Sequence, residues 1–242
     1  MQTIIQALQQ PTVTSTPSLI AEILNLLRHI GENGNGLKIR FRQDFAELQR
    51  VVDANPDRDE LSPMFDPQFC TIGGDNGFWI EGTSPDGEIV HQQAVRFDDL
   101  GSLPLRQHWM SSRELYQPPG VDVDLDATDF EAAPASEIIT GRVCYHGELW
   151  IHRDYRGLHL ASKLANLAML LAQARFAPDY LYCLIPPKTL RTGLSLRNGY
   201  LHHHPHGIRW SINGEAEPYD EYIVWMTAAE LADLMARPAV VC

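Results

Sequence analysis

The segment Arg153-Asp154-Tyr155-Arg156-Gly157-Leu158-His159-Leu160-Ala161 places two arginines and a glycine directly before a run of strong helix formers, with Lys163 just inside that run. The first turn of a helix has amide N–H groups without internal partners, and the positive end of the helix dipole lies there, so a phosphate can bind it directly. Arg153, Arg156 and Lys163 add charge around such a turn. The chemistry written here is the binding of a small anion. The formal charge of the whole chain, −12, argues against a general nucleic-acid partner, because backbone-phosphate binding draws on clustered Lys and Arg. Residues 151–210 nevertheless hold eight Lys/Arg against two Asp, a local charge of +6 in a protein whose remainder carries −18. A basic island in an acidic chain suits a small anionic ligand at that place and cations elsewhere.

Other chemistry-bearing residues say less. His202, His203, His204 and His206 read as a surface turn beside Pro205, since along a strand only His202 and His204 share a face and no Cys or carboxylate spacing accompanies them. Asp122, Asp124 and Asp126 have the opening spacing of a calcium loop, yet Ala127 stands where such a loop needs Gly and Ala133 where it needs a bidentate Glu. They read as an acidic loop that would attract a cationic amine, and no metal is expected. Cys70, Cys144, Cys183 and Cys242 are scattered, without a CxxC pair, which fits a reducing cytoplasm.

The elements that must position these groups follow from periodicity. With 44% hydrophobic and 21% charged residues, the chain is apolar enough to fold around a core. No run approaches the roughly 18 consecutive apolar residues of a membrane span, and the first residues lack a basic region followed by an apolar core. Thr16-Pro17 opens a helix to about Ile30, read with its flanks as an N-terminal helical extension over residues 1–36. The remaining domain, 37–242, starts with a strand at Leu37–Phe41 and a helix capped by Asp44. Hairpin signals at Asp75-Asn76-Gly77 and Ser84-Pro85-Asp86-Gly87 imply an antiparallel meander. Residues 98–136, rich in Pro and Asp, read as an insertion with a short helix near Arg106–Tyr116. A long strand is expected from Ile138 to His152, then a turn and a helix to about Phe176 that buries Leu160, Leu164, Leu167 and Leu171 against a sheet. A strand at Tyr180–Ile185, a helix at Lys188–Asn198 stopped by Gly199, and strands at Leu201–Ser211 and Tyr219–Met226 follow. Thr227 and Glu230 form a capping box for a last helix to Met235.

The stretch from Val143 to Tyr200 resembles the acyl-coenzyme-A-binding half of the GNAT superfamily of N-acyltransferases. Ile151 matches the aliphatic residue that ends the family's cofactor strand, Tyr155-Arg156-Gly157 matches its turn, and Arg156 and Ala161 match the ends of its Arg/Gln-x-x-Gly-x-Gly/Ala pattern. Leu194-Ser195-Leu196-Arg197-Asn198-Gly199-Tyr200 is similar to the helix and Gly-aromatic step that closes that half, and Asp86–Arg96 is similar to its second hairpin. The resemblance covers roughly residues 37–100 and 138–226. It implies an α/β (α+β) fold with a GNAT-like twisted mixed sheet flanked by helices and splayed between the strand ending at Ile151 and the strand Tyr180–Ile185. Pantetheine would lie in the splay, and Ile151, His152, Arg153, Arg156, Gly157, Leu158, His159, Leu160 and Ala161 would bind the cofactor. Three positions depart from the pattern, one of them Lys188, which stands where members often carry Asn. His159 stands where the family has Gly, a site where the missing Cβ lets backbone approach phosphate, and Ser195 stands where many members carry a Tyr that protonates the leaving thiolate.

Amine acylation needs a neutral nucleophile, so a base must take a proton and an acid must serve the sulfur. Strict alternation along the long strand puts Tyr145, Gly147, Leu149 and Ile151 on one face and Cys144, His146, Glu148 and Trp150 on the other. Glu148 is the first choice for the base. Tyr145 is in register with a base position of some family members, and His146 has a suitable titrating group. Tyr200 and Ser195 are the nearby hydroxyls for the acid, whereas Cys183 reads as inert packing. The function implied is acyl transfer, most simply acetyl, from acetyl-CoA or another acyl-CoA as co-substrate to a primary amine of a small molecule or peptide. A homodimer is allowed, and no nucleic-acid or membrane partner is expected. The alternative is a non-catalytic GNAT-like module that binds an acyl-CoA or nucleotide as a sensor or partner domain. Transfer of a longer acyl chain would need a wide tunnel.

Overall fold

A computed structural model describes residues 16–130, 133–158 and 160–236. Its helices are α1 (Pro17–Asn33), α2 (Phe45–Asp53), α3 (Leu105–Ser111), α4 (Ala135–Ile138), α5 (Leu160–Phe176), α6 (Pro187–Arg191), α7 (Leu194–Arg197) and α8 (Ala228–Ala236). Its strands are β1 (Lys38–Arg42), β2 (Gly77–Thr83), β3 (Ile89–Asp99), β4 (Val123–Asp129), β5 (Arg142–Ile151), β6 (Tyr180–Ile185), β7 (His202–Ile212) and β8 (Tyr219–Thr227). All eight form one sheet in the order β1-β2-β3-β5-β6-β8-β7-β4. Every pairing is antiparallel except β5–β6, which is parallel because α5 carries the chain back across one face of the sheet. The mixed sheet flanked by helices is the one the resemblance implies.

Local chemistry accounts for the element boundaries. Thr16 Oγ1 accepts from Leu19 N at 3.2 Å with Pro17 in the first turn of α1. Asp44 Oδ1 accepts from Glu47 N at 3.1 Å, and Thr227 with Glu230 forms the reciprocal box that opens α8. α5 is buried almost all round, from Leu160 and Leu164 to Ala174 and Phe176, because the sheet covers one side and α1 the other. α1 contributes Leu19, Ile23 and Ile30 to that core, side chains whose burial is worth about 1.5–3 kcal/mol each, so this helix is an outer layer of the domain's own packing. A second core lies on the opposite face, around Phe45, Leu48, Phe65, Trp79, Trp109, Tyr182 and Trp210.

Four expectations are corrected. The long strand begins at Arg142, not Ile138, because α4 and a turn through Gly141 at φ 75° occupy the preceding residues. The helix expected over Lys188–Asn198 is two short helices, α6 and α7, broken where Gly193 adopts φ 68°. The acidic segment at Asp122–Asp126 runs into edge strand β4, not a loop, since Val123 and Leu125 alternate into the second core while the aspartates stay on the outside. The histidine run lies in β7, within the strand expected over Leu201–Ser211, and the surface turn expected beside Pro205 is a bulge of that strand: Pro205 sits between His204 and Ile208, with His206 at φ 58°, and β4 pairs with β7 only beyond that point, so Pro205 interrupts no ladder there.

Candidate active site

The parallel pairing of β5 with β6 runs only from Val143–Tyr145 to Tyr180–Tyr182. Beyond Tyr145 the two strands part, which is the splay the resemblance implies, and a cavity of about 380 Å³ opens there. Its walls include Tyr145 to Trp150 of β5 and Cys183 to Ile185 of β6. The cavity passes through the sheet. On the α5 face it meets Ser195, Asn198, Tyr200 and His146, and on the other face Tyr145, Glu148, Glu221 and the loop bearing Asp57, Arg58, Asp59, Glu60 and Ser62.

Strict alternation along β5 does not hold, and Glu148 is the reason. Gly147 pairs with Ala94 and Trp150 with Gln92, so Glu148 and Leu149 together face the single residue Gln93. This is a β-bulge, and Glu148 takes it up at φ 58°, a left-handed conformation that costs a non-glycine residue about 1–2 kcal/mol. The bulge reverses the phase of the strand. Ile151 packs in the α5-side core with Cys144 instead of sharing the face of Tyr145, and Glu148 reaches the loop side rather than the side of His146.

The Glu148 carboxylate is fully engaged. Arg58 Nη2 forms an ion pair with Oε2, while Oε1 accepts from Ser62 Oγ at 2.5 Å and Ser62 N at 3.2 Å. Arg58 also donates to Gln92 Oε1 at 2.5 Å, and the side chains of Arg58 and Glu148 are only 6% and 5% exposed. The pair therefore clips the loop to the bulge.

Tyr200 is buried and joined to a polar chain. Gln93 Nε2 donates to Leu164 O at 2.7 Å, so Gln93 Oε1 must accept from His146 Nε2 at 2.9 Å. His146 Nδ1 is then the acceptor for the Tyr200 hydroxyl at 3.1 Å. Burial pulls His146 down to about 4, which keeps this imidazole neutral, and raises Tyr200 well above its ordinary value. Tyr145 is likewise raised, by burial first and then by Cys183, Glu221, Tyr182 and Glu148 around it. Burial pushes the Cys183 thiol up as well, the opposite of what a nucleophile needs.

The strand-to-helix turn is built from its own side chains. Arg156 Nε donates to Ile151 O at 2.8 Å, His152 N donates to Val90 O at 2.8 Å, and a single 3₁₀ turn spans Arg153–Tyr155. The Arg156 amide, expected to face an anion, instead donates to Arg153 O at 3.2 Å. Gly157, at φ 85°, has open space where a Cβ would stand, with half-buried Leu158 beside it. Leu160 and Ala161 form the first turn of α5, where amides lack intrahelical partners. His159 lies outside the described residues. Arg153 and Arg156 are exposed at the surface of this turn.

Two polar atoms in the cavity wall, Trp150 Nε1 and Asn198 Oδ1, are buried without a partner, one a donor and the other an acceptor. Among the described residues there is no group of three His, Cys, Asp or Glu placed to hold a metal ion, and no helix is long and apolar enough to cross a membrane. The expected candidates Glu148, Tyr145, Tyr200 and Ser195 all line the one cavity. Sequence reading missed Glu221, a half-buried carboxyl in the same wall that burial pushes up to about 7. Its only signal is its place, beside Asp220, at the head of an aromatic and aliphatic run, Tyr222-Ile223-Val224-Trp225.

No family model matches the sequence, and no curated protein matches it. Among solved structures the chain is similar to Arabidopsis thaliana NAA60 in complex with acetyl-CoA, at 16% identity over 79% of this chain and 98% of that one, with a TM-score of 0.46. NAA60 in complex with a bisubstrate analogue aligns at 17% identity over 78% and 99%, with a TM-score of 0.46. A mutant of the spermidine N-acetyltransferase SpeG from Vibrio cholerae aligns at 9% identity over 82% and 97%, with a TM-score of 0.47. These are distant likenesses.

Proposed function

We propose that the chain is a GNAT-type N-acyltransferase that moves an acyl group, most simply acetyl, from coenzyme A to a primary amine of a small molecule or peptide. The observation that carries this reading is the cavity through the splay of β5 and β6. One wall of it, β5, runs on past Ile151 into a Tyr-Arg-Gly turn and the N-terminus of a 17-residue helix, while Asp57, Asp59, Glu60, Glu148 and Glu221 line the cavity with Arg58 as the only Lys or Arg among its described lining residues. An anionic cofactor suits the turn and a cationic amine the acidic lining. Trp150 Nε1 and Asn198 Oδ1 offer a donor and an acceptor of the kind the pantetheine amides require. The free thiols of Cys70, Cys144 and Cys183 suit work in a reducing cytoplasm.

Acetyl-CoA is expected to bind with a micromolar Kd, about 8 kcal/mol of standard free energy. Calorimetry that detects no binding at millimolar ligand would overturn the reading. With a panel of diamines and basic peptides, thiol release separates a transferase from an acyl-CoA-binding module. The module reading draws support from Ser195, which stands where a proton-donating Tyr would serve the sulfur, and from the Tyr200 hydroxyl, which is turned toward His146.

Arg156→Ala should weaken acetyl-CoA binding by about 1–2 kcal/mol, five- to thirtyfold, because it removes a cation beside the anion-facing turn and the brace from Nε to Ile151 O. An unchanged Kd in the folded variant would place the phosphates elsewhere.

A further inference from the structure

We propose that Glu221 is the catalytic base of this cavity, the group that takes the proton from an ammonium acceptor before its nitrogen attacks the thioester. The inference rests on the transferase reading and names the residue that reading lacks. Glu221 lies on β8 opposite Ile208, where β7 resumes after its bulge. Trp210 Nε1 donates to Oε2 at 2.9 Å, which aims the carboxyl, while among the described residues Oε1 has no protein partner in the cavity wall. Tyr145 of β5, Cys183 of β6 and Tyr219 of β8 are its titratable neighbours. Among the described residues no Lys, Arg or His pairs with it, and the cation of this cavity, Arg58, is spent on Glu148.

The two carboxylates therefore differ in role. Glu148 has both oxygens occupied by donors, so a proton arriving there must displace Arg58 or Ser62; it is a positioning residue that holds the bulge and the loop. Glu221 has one oxygen open. Burial without a compensating cation pushes it up to about 7, where a carboxylate both accepts and releases a proton at neutral pH. Tyr145 feels both carboxylates and stands between the two roles.

The ammonium gives one proton to Glu221 and becomes a neutral amine. Its nitrogen forms a bond to the thioester carbon, and the carbon–sulfur bond breaks with its electron pair leaving on sulfur. The second nitrogen proton passes to the thiolate, and Glu221 returns its proton to water. Ammonium and thioester thus yield amide, thiol and one proton.

The test compares wild type with Glu221→Gln and Glu221→Asp. Acetyl-CoA affinity, by calorimetry, is expected to stay within about twofold for both variants. Glu221→Gln should lower kcat by at least about 100-fold, the low end for a general base, and abolish the rise of kcat/KM with pH near 7 that wild type and Glu221→Asp show. In the free protein, infrared difference spectra should show a carboxyl titrating near pH 7 that Glu221→Gln lacks. Retention of kcat within threefold, or a wild-type pH profile and spectrum without that titration, would overturn the proposal; the wild-type arms decide the matter even if the glutamine variant does not fold. Failure of wild type to bind acetyl-CoA would instead overturn the transferase reading, and this role with it.

Discussion

Glu148→Ala is expected to lose about 3–5 kcal/mol of stability, the usual cost of breaking a buried ion pair by removing one partner. The substitution leaves the Arg58 guanidinium buried beside Gln92 with no carboxylate, and it removes the acceptor for two Ser62 donors. For a chain of 242 residues this corresponds to a fall in Tm of about 6–20 °C. Thermal and urea unfolding at pH 7 measure it. A companion variant isolates the cause. Replacing both partners, Arg58→Met with Glu148→Gly, leaves no uncompensated charge and relieves the φ of 58°, so it should be more stable than Glu148→Ala alone. Equal stability of Glu148→Ala and wild type would mean that the pair contributes nothing to holding the loop on the bulge.

Lowering the pH from 7 to 5 is expected to destabilise the protein through His91 and His146, each by about 2 kcal/mol. Both side chains are essentially inaccessible, at 0% and 3% exposure, and burial lowers His91 to about 3 and His146 to about 4. Between those values and 6.5 the unfolded chain binds more protons than the folded one. The stabilisation is therefore complete above 6.5 and drains away as the pH falls below it. Glu221 has the opposite sign. Its folded value is raised from 4.5 to about 7, so the folded state binds the extra proton in that interval, and acidification to pH 5 returns about 2 kcal/mol. Wild type should thus lose a net ~2 kcal/mol and Glu221→Gln the full ~4 kcal/mol, since it has no proton to take up. Urea unfolding of the two proteins at pH 7 and pH 5 gives the comparison, and an equal loss in both would remove Glu221 from the acid balance.

Much of this molecule was legible in the order of its residues. Caps at Thr16, Asp44 and Thr227, the Ser84–Gly87 hairpin turn and the leucine stripe of α5 are local patterns whose physics acts within a few residues, and each stands where the spacing put it. The Tyr155-Arg156-Gly157 turn before α5 was legible for the same reason. Where strand periodicity breaks, tertiary structure decides. A bulge is a mismatch between two strands, so nothing in β5 alone announces that Glu148 and Leu149 share one partner on β3, and the faces of every residue after Gly147 depended on that mismatch. The strand over the histidines was legible, and what the sequence hid is that the turn beside Pro205 is a bulge against β8, again a mismatch between two strands. Arg58 and Glu148 lie ninety residues apart and Trp210 and Glu221 eleven, and only the folding of the loop onto β5 and of β7 onto β8 made one carboxylate an ion pair and left the other open. Which acid can move a proton is a property of burial and partners, and those exist only once the chain has packed.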